Sequence, residues 1–278
     1  MIGAIIGDIV GSVYETNNIK IKNFEFFKSD CRFTDDTVLT LAVAKAVKDC
    51  AGNYSFLQEK TIEYMRYYAK KYKNAGFSDS FKKWANSKQP EPYNSNGNGA
   101  AMRISVVGLI AKTIEQVKEL SYKITSVTHN HPSAIKGAEA VATAIFLAIN
   151  NLTKKEIQDY INQNYYKIDF TLDDIRETYT THLDCDNTVP QALQCFFESE
   201  SFEDAIRNAI SIGGDSDTIA CIVPRQSRKP VSSCSFSRRR RVCVPLRKIF
   251  RRGMSFSISR GEQRRSRTGS GPGGTGTR

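Results

Sequence analysis

The sequence predicts an all-α protein, and three observations carry that prediction. Apolar residues recur at helical spacing along most of the first 220 positions, as in Val38, Leu41, Ala42 and Ala46. Stretches that alternate apolar and polar residues are scarce. Segment after segment opens on Thr, Asp, Ser or Pro and closes near Gly or Asn, which are helix start and stop signals.

Taken in order, residues 2–14 are apolar and glycine-rich, and Gly3, Gly7 and Gly11 fall four apart on one helix face. Such a stripe permits close helix–helix contact. Residues 17–33 read as loop. A helix runs from Thr34 to about Asp49, with Gly52 as its stop. Residues 55–72 form an amphipathic helix rich in Tyr and Lys, and 77–87 a shorter one that ends before Gln89-Pro90. Pro90, Pro92, Asn94, Asn96, Gly97, Asn98 and Gly99 then spell a loop, which leads into one apolar helix through Ala111.

Residues 114–127 are helical. Thr128-His129-Asn130-His131-Pro132-Ser133 breaks the pattern, and Ala134–Asn150 is an Ala-rich helix. Short helices follow at 153–163, 172–180, 188–199 and 202–211. Pro190 sits near the start of its helix, where proline is tolerated. A last helix begins at Asp215 and carries the apolar run Ile219–Val223. About a dozen helices result, with no repeat of fixed period.

The 278 residues carry a net charge of +11, which invites a nucleic-acid reading, but the charge is concentrated at one end. Residues 225–278 hold 16 Lys and Arg against one acid, Glu262, whereas the preceding 224 residues hold 24 basic and 28 acidic groups. Residues 1–223 are therefore expected to form one helical domain, and the Arg/Ser/Gly-rich 224–278 a disordered basic tail. Nucleic acid is an expected partner only through that tail. Seven cysteines without a C-x-x-C pair suit reduced thiols. The start lacks a basic n-region and meets Asp8 early, unlike a signal peptide, and no apolar run reaches membrane-spanning length. The expectation is a cytoplasmic monomer with no membrane association.

Two acidic clusters stand out, Thr34-Asp35-Asp36-Thr37 and Asp215-Ser216-Asp217-Thr218. Each alone suits a helix cap, because Thr and Asp favour that position and acids suit the first turn. Hard cations, however, take several oxygen ligands, more than one such turn supplies. The two clusters together suit a shared pair of divalent ions, with Glu15 adding an oxygen. The double glycine before Asp215 would let a ligand approach the backbone. The segment Asn96–Arg103 reads either as a capped turn or as a small-residue cradle for diphosphate or ribose. With one other histidine, His182, in the chain, His129 and His131 fit a nucleotide contact or a helix start better than zinc.

In combination these segments resemble the ADP-ribosylglycohydrolase family, whose founding type is the dinitrogenase reductase-activating glycohydrolase. The matching stretches are GAIIGDIVGSVYE at 3–15, FTDDT at 33–37, NGNGAAMR at 96–103, THNHPSAIKGA at 128–138, NTVPQAL at 187–193 and IGGDSDTIA at 212–220. The resemblance implies an all-α fold and a pair of Mg²⁺ or Mn²⁺ ions. Thr34, Asp35 and Asp36 would bind them from one side, and Asp215, Asp217 and Thr218 from the other. Gly97, Asn98, Gly99, Ala100, Ala101 and Met102 would line ribose and diphosphate, with His129 and Ser133 towards the adenosine and phosphate end.

The implied reaction is hydrolysis of the C1″ bond of ADP-ribosyl-arginine, or of another ADP-ribosylated protein or small conjugate. Asp36 or Glu15 would be the acid/base group. The family pattern continues GGDxDT into a longer helix ending in a Tyr-Gly motif, where this sequence has Pro224 and the basic tail. That switch reads as a frame change or rearranged gene end. It also makes a member that binds ADP-ribose without efficient turnover the alternative expectation.

Overall fold

The computed structural model describes residues 1–224, and the expected tail lies, from 225 onward, outside the described residues. Thirteen α-helices are present among the described residues, and no β-strand, so the all-α expectation is met. They are α1 (Ile2–Gly11), α2 (Asp35–Asp49), α3 (Leu57–Lys71), α4 (Asp79–Asn86), α5 (Gly99–Met102), α6 (Ser105–Ile110) and α7 (Ile114–Thr125). The chain continues through α8 (Pro132–Ile149), α9 (Lys154–Asn164), α10 (Leu172–Arg176), α11 (Val189–Phe197), α12 (Phe202–Ser211) and α13 (Ser216–Ile222). The sole β feature among the described residues is an isolated bridge between Gly97 and Asp184.

Local chemistry explains most boundaries. Hydroxyl caps on Thr34, Ser78, Thr113, Thr153, Thr171 and Ser201 each accept a backbone N–H in the first turn of the following helix. His131 caps α8 in the same way, accepting from Ser133 N, with Pro132 at the first helical position. His131 is thus a helix start, as one of its two sequence readings had it.

Two boundaries differ from expectation. The single helix expected after Asn98 is two, broken at Arg103-Ile104, because the Arg103 side chain turns back to the Gly99 carbonyl at 2.9 Å. The helix expected over 172–180 stops at Arg176, where Tyr179 turns inward, 9% exposed, and donates its hydroxyl to Asn187 O.

α8 corrects another expectation. It is 18 residues long with a mean hydropathy of 1.3, enough to cross a membrane by length and composition alone. It is instead a central core element. It packs against α5, α6, α7, α9 and α11, and 67% of its length is buried inside the fold. Its apolar character follows from that burial, and its charged residues, Lys136 and Glu139, lie on the part that reaches solvent, paired with Asp186 and Lys118.

The ends of the domain meet in its middle. α1 lies against α13, and Gly7 and Gly11 are the reason it can. A Cβ on Gly7 would stand 2.1 Å from Ala220 O, and one on Gly11 2.4 Å from the Asp217 Cα. The glycine stripe read from the sequence is a helix–helix contact, as expected. All seven residues of α13 are buried, so this short helix is fully a core element.

Candidate metal centre

Asp8 organises the first half of the site. It is completely buried on α1, one residue from the glycine that faces α13. Its Oδ2 accepts the backbone N–H groups of Thr34 and Thr37, each at 3.0 Å, and its Oδ1 accepts the Thr34 hydroxyl at 2.7 Å. One carboxylate therefore fixes the start of α2 in space and aims the Thr34–Asp36 turn. Thr34 also caps α2, so its hydroxyl serves both Asp8 and Asp36 N.

The second half comes from the turn before α13. Gly213 and Gly214 have φ of +73° and +77°, a conformation that favours glycine. They do not open the backbone to a ligand, as the sequence suggested. A Cβ on Gly214 would strike the Tyr179 ring at 2.6 Å, and one on Gly213 would meet Lys20 and Asn18. Asn18 clamps this turn to the end of α1. It accepts from Gly214 N at 2.6 Å and donates to Gly214 O, Tyr14 O and Glu15 O.

Asp215 occupies the cap position of α13 but makes no side-chain cap hydrogen bond. Its Oδ2 instead accepts from the Asn98 amide at 2.6 Å. Asn98, expected to bind substrate, thus also positions a carboxylate, while its own N–H is held by Leu183 O at 2.8 Å.

These turns bring acidic oxygens into two groups that share one member. Oxygens of Asp8, Asp36 and Asp217 lie within 4.8 Å of one another, and so do oxygens of Glu15, Asp215 and Asp217. Asp36 and Asp217, from opposite ends of the sequence, are thus neighbours. Thr218 bridges the halves through its hydroxyl, which donates to Asp36 Oδ2 at 3.3 Å. Asp35 stands outside both groups yet lines the same cavity, as does Thr34. Neither group contains a histidine or cysteine among the described residues.

The electrostatics of such a cluster are costly unless positive charge balances it. Burial, then repulsion from Asp217 and the other carboxylates, holds the Asp36 carboxyl well above its ordinary range. Burial and then Asp215 and Glu15 do the same to Asp217. Asp35 is pushed up to about 7, by burial first and Asp8 second. Asp36 Oδ1 is buried and without a hydrogen-bond partner. An all-oxygen donor set with an unsatisfied buried carboxylate oxygen fits hard divalent cations.

The acidic cluster opens onto a cavity of about 700 Å³. The opposite wall is the 96–99 loop with Met102, Arg103, His129 and Tyr93. The loop is tied down on two sides: to Leu183 and Cys185 through Asn98 N and Asn96 O, and through the packing of Gly97 and Gly99 on the His129 ring. Of the residues expected to contact substrate, Gly97, Asn98, Gly99, Met102 and His129 line the cavity. Ala100 and Ala101 do not. They are 0% and 1% exposed and turn into the core. Ser133 also lies outside the lining, in the first turn of α8, with its hydroxyl towards Asp186.

The sequence singles out neither Asp8 nor Asn18 for a site role, and includes Arg103 only as the end of the Asn96–Arg103 segment. Asp8 carried a usable signal, a lone acid inside an apolar glycine-striped helix with no basic partner nearby in sequence. Asn18 carried none, since its partner Gly214 lies 196 residues away.

Comparison with known proteins places the fold. The ADP-ribosylglycohydrolase family model matches residues 1–223. ADP-ribosylhydrolase ARH3 of Mus musculus is 26% identical over 182 residues, covering 55% of this chain and 49% of its own length. The Homo sapiens protein of the same name is 24% identical over 182 residues, covering 55% and 50%. An uncharacterized protein of Archaeoglobus fulgidus is 30% identical over 143 residues, covering 45% of this chain and 46% of its own. The chain thus spans about half the length of the curated relatives it matches. A solved ADP-ribosylglycohydrolase-related protein complex superposes with a TM-score of 0.61 at 18% identity, over 80% of this chain and 82% of that one, a likeness of fold. With a family match that takes in every helix from α1 to α13, this chain belongs to the ADP-ribosylglycohydrolase family.

Proposed function

We propose that this protein hydrolyses ADP-ribosyl conjugates at the ribose C1″ position, with two divalent cations, Mg²⁺ or Mn²⁺, as cofactors. One observation carries the reading: two oxygen clusters that share Asp217 face a cavity large enough for a nucleotide sugar. Thr34, Asp35, Asp36, Asp215, Asp217 and Thr218 would hold the ions. A bound pair supplies fixed positive charge that orients sugar hydroxyls and stabilises charge developing at the reacting centre.

The protein's own groups divide the remaining work. Asp36 is 3% exposed, and its Oδ2 is engaged by the Thr34 and Thr218 hydroxyls, which suits a fixed ligand. Glu15 is at the solvent rim of the same cavity, and burial and then Asp215 raise its carboxyl. Glu15 is therefore the group assigned to move the proton. It protonates the departing group as the C1″ bond breaks through an oxocarbenium-like state. It then takes a proton from the water that adds to C1″. Gly97, Gly99 and Met102 shape the wall against which the rest of the nucleotide lies. Glu15, Asp35 and Asp184 all line the cavity, so an arginine side chain carrying ADP-ribose would meet carboxylates there, and ADP-ribosyl-arginine is the first substrate to test.

The test is release of free ADP-ribose, followed by chromatography, from arginine-linked and serine-linked peptides with Mn²⁺, Mg²⁺ or chelator. Release should require the ion and fall by about 10³-fold or more in Asp217→Asn, and Glu15→Gln should slow turnover while ion binding persists. Retained ADP-ribose binding with no release from either peptide would make the protein a binding module instead.

A further inference from the structure

We infer that Arg103 and Thr128 form a relay that fixes His129 as a neutral side chain with its proton on Nε2, presented to the cavity as a hydrogen-bond donor. The identity of the ligand rests on the function proposed above, whereas the position of the proton does not.

Arg103 is 0% exposed, and no carboxylate pairs with it among the described residues. A guanidinium only donates. Its Nη1 donates to Gly99 O at 2.9 Å, and its Nη2 to the Thr128 hydroxyl oxygen at 2.7 Å. Thr128 is itself fully buried, and its hydroxyl has one hydrogen left to give. The group within reach is His129 Nδ1, at 2.7 Å. A proton on Nδ1 would leave Thr128 between two donors and its own hydrogen pointing at nothing, a buried loss that protein structures avoid. Nδ1 therefore accepts, and Nε2 bears the proton.

The guanidinium charge polarises the Thr128 hydroxyl and strengthens the second bond. Burial and the neighbouring Arg103 charge also hold the imidazole well below its ordinary pKa, so the ring is neutral.

His129 lines the cavity, and its Nε2 makes no hydrogen bond among the described residues. A Cβ at Gly99 would lie 3.3 Å from it, and one at Gly97 3.5 Å, so two glycines keep the ring edge open. The Tyr93 ring, 5.7 Å away between centroids, packs near the imidazole. The result is a single N–H of fixed direction, suited to an acceptor atom of the nucleotide. Arg103 and Thr128 are positioning residues in this scheme, and His129 is the group that touches ligand.

Nitrogen-15 NMR of the histidine rings in the full chain reads the tautomer directly, with His129→Gln identifying the signal among three histidines. The expected wild-type spectrum has the proton on Nε2. Thr128→Val should shift the population towards Nδ1 and weaken ADP-ribose binding about tenfold in calorimetry, the size of one lost hydrogen bond. Thr128→Ser should restore both, and it carries the test with the wild type if the valine variant fails to fold. A wild-type proton on Nδ1, or an unchanged tautomer in Thr128→Val, would overturn the relay. Wild-type protein that does not bind ADP-ribose would overturn the functional reading, while the tautomer is still decided by the spectra.

Discussion

Gly11→Ala isolates the contact on which the candidate metal centre is built. The added methyl would stand 2.4 Å from the Asp217 Cα and 2.7 Å from both Asp217 N and Ser216 O. All three neighbours are backbone, so no side chain can swing aside. Restoring an ordinary contact distance of about 3.4 Å requires α13 to retreat by roughly 1 Å. Alanine gains about 1 kcal/mol over glycine in helix propensity. Over-packing of this kind costs about 1–3 kcal/mol, and the upper end applies where backbone meets backbone. The expected net loss is about 2 kcal/mol, measured as the midpoint shift in urea unfolding monitored by circular dichroism. The larger effect should be on ions. Asp217 belongs to both oxygen groups, and metal sites tolerate about 0.2 Å of ligand displacement. Mn²⁺ binding by calorimetry should weaken by about 100-fold or more, and Mn²⁺, expected to raise the melting temperature of the wild type, should not raise that of the variant. A variant stabilised by the propensity gain, with Mn²⁺ affinity unchanged, would show that the α1–α13 approach does not place the ligands.

Three further outcomes follow from the same geometry. Asp8→Ala strands the Thr34 N–H, the Thr37 N–H and the Thr34 hydroxyl, and should cost about 3 kcal/mol or more in urea unfolding and abolish Mn²⁺ binding. In chelator, burial and the neighbouring carboxylates push Asp35 up to about 7 in the folded protein, against an ordinary 3.8 in the unfolded chain, and Asp36 and Asp217 are raised as well. The folded state then binds more protons in that window, so their contribution to stability should grow as pH falls from 7 towards 4, read as a rising melting temperature that saturating Mn²⁺ suppresses. His129 has the opposite sign. Its pKa is depressed on folding, so it removes stability as pH falls below about 6.5, by up to about 1.4 kcal/mol per pH unit. His129→Gln should remove that component, seen as a shallower loss between pH 6.5 and 5 in Mn²⁺-saturated protein.

Much of this was legible in the sequence, for reasons that differ by residue. Helical periodicity is local, so element type and order came through. The Gly7–Gly11 stripe spoke of close contact because glycine has few other uses in the middle of a helix. The two acidic turns declared themselves by pairing carboxylates with hydroxyls at helix starts. What stayed hidden was tertiary. The apolar periodicity runs straight through Arg103, and only the side chain returning to Gly99 O shows why the helix divides there. Gly213-Gly214 resembled a ligand approach, yet the space is taken by Tyr179 and the Asn18 clamp. Ala100 and Ala101 share a motif with cavity-lining neighbours but sit on the far side of a single helical turn.

The junction between the first and last helices also has a consequence in time. Of the two, α1 leaves the ribosome earlier, and its partner α13 is not made until more than 200 residues later. At about 5–20 residues per second that interval is roughly 10–40 s. Throughout it, α13 is not there to fill the groove at Gly7 and Gly11, and two of the five clustered carboxylates, Asp215 and Asp217, have not been synthesised. On the function proposed above, the two oxygen groups are complete only once α13 has docked on α1. The order of synthesis would thus hold that proposed chemistry back until α13 is in place.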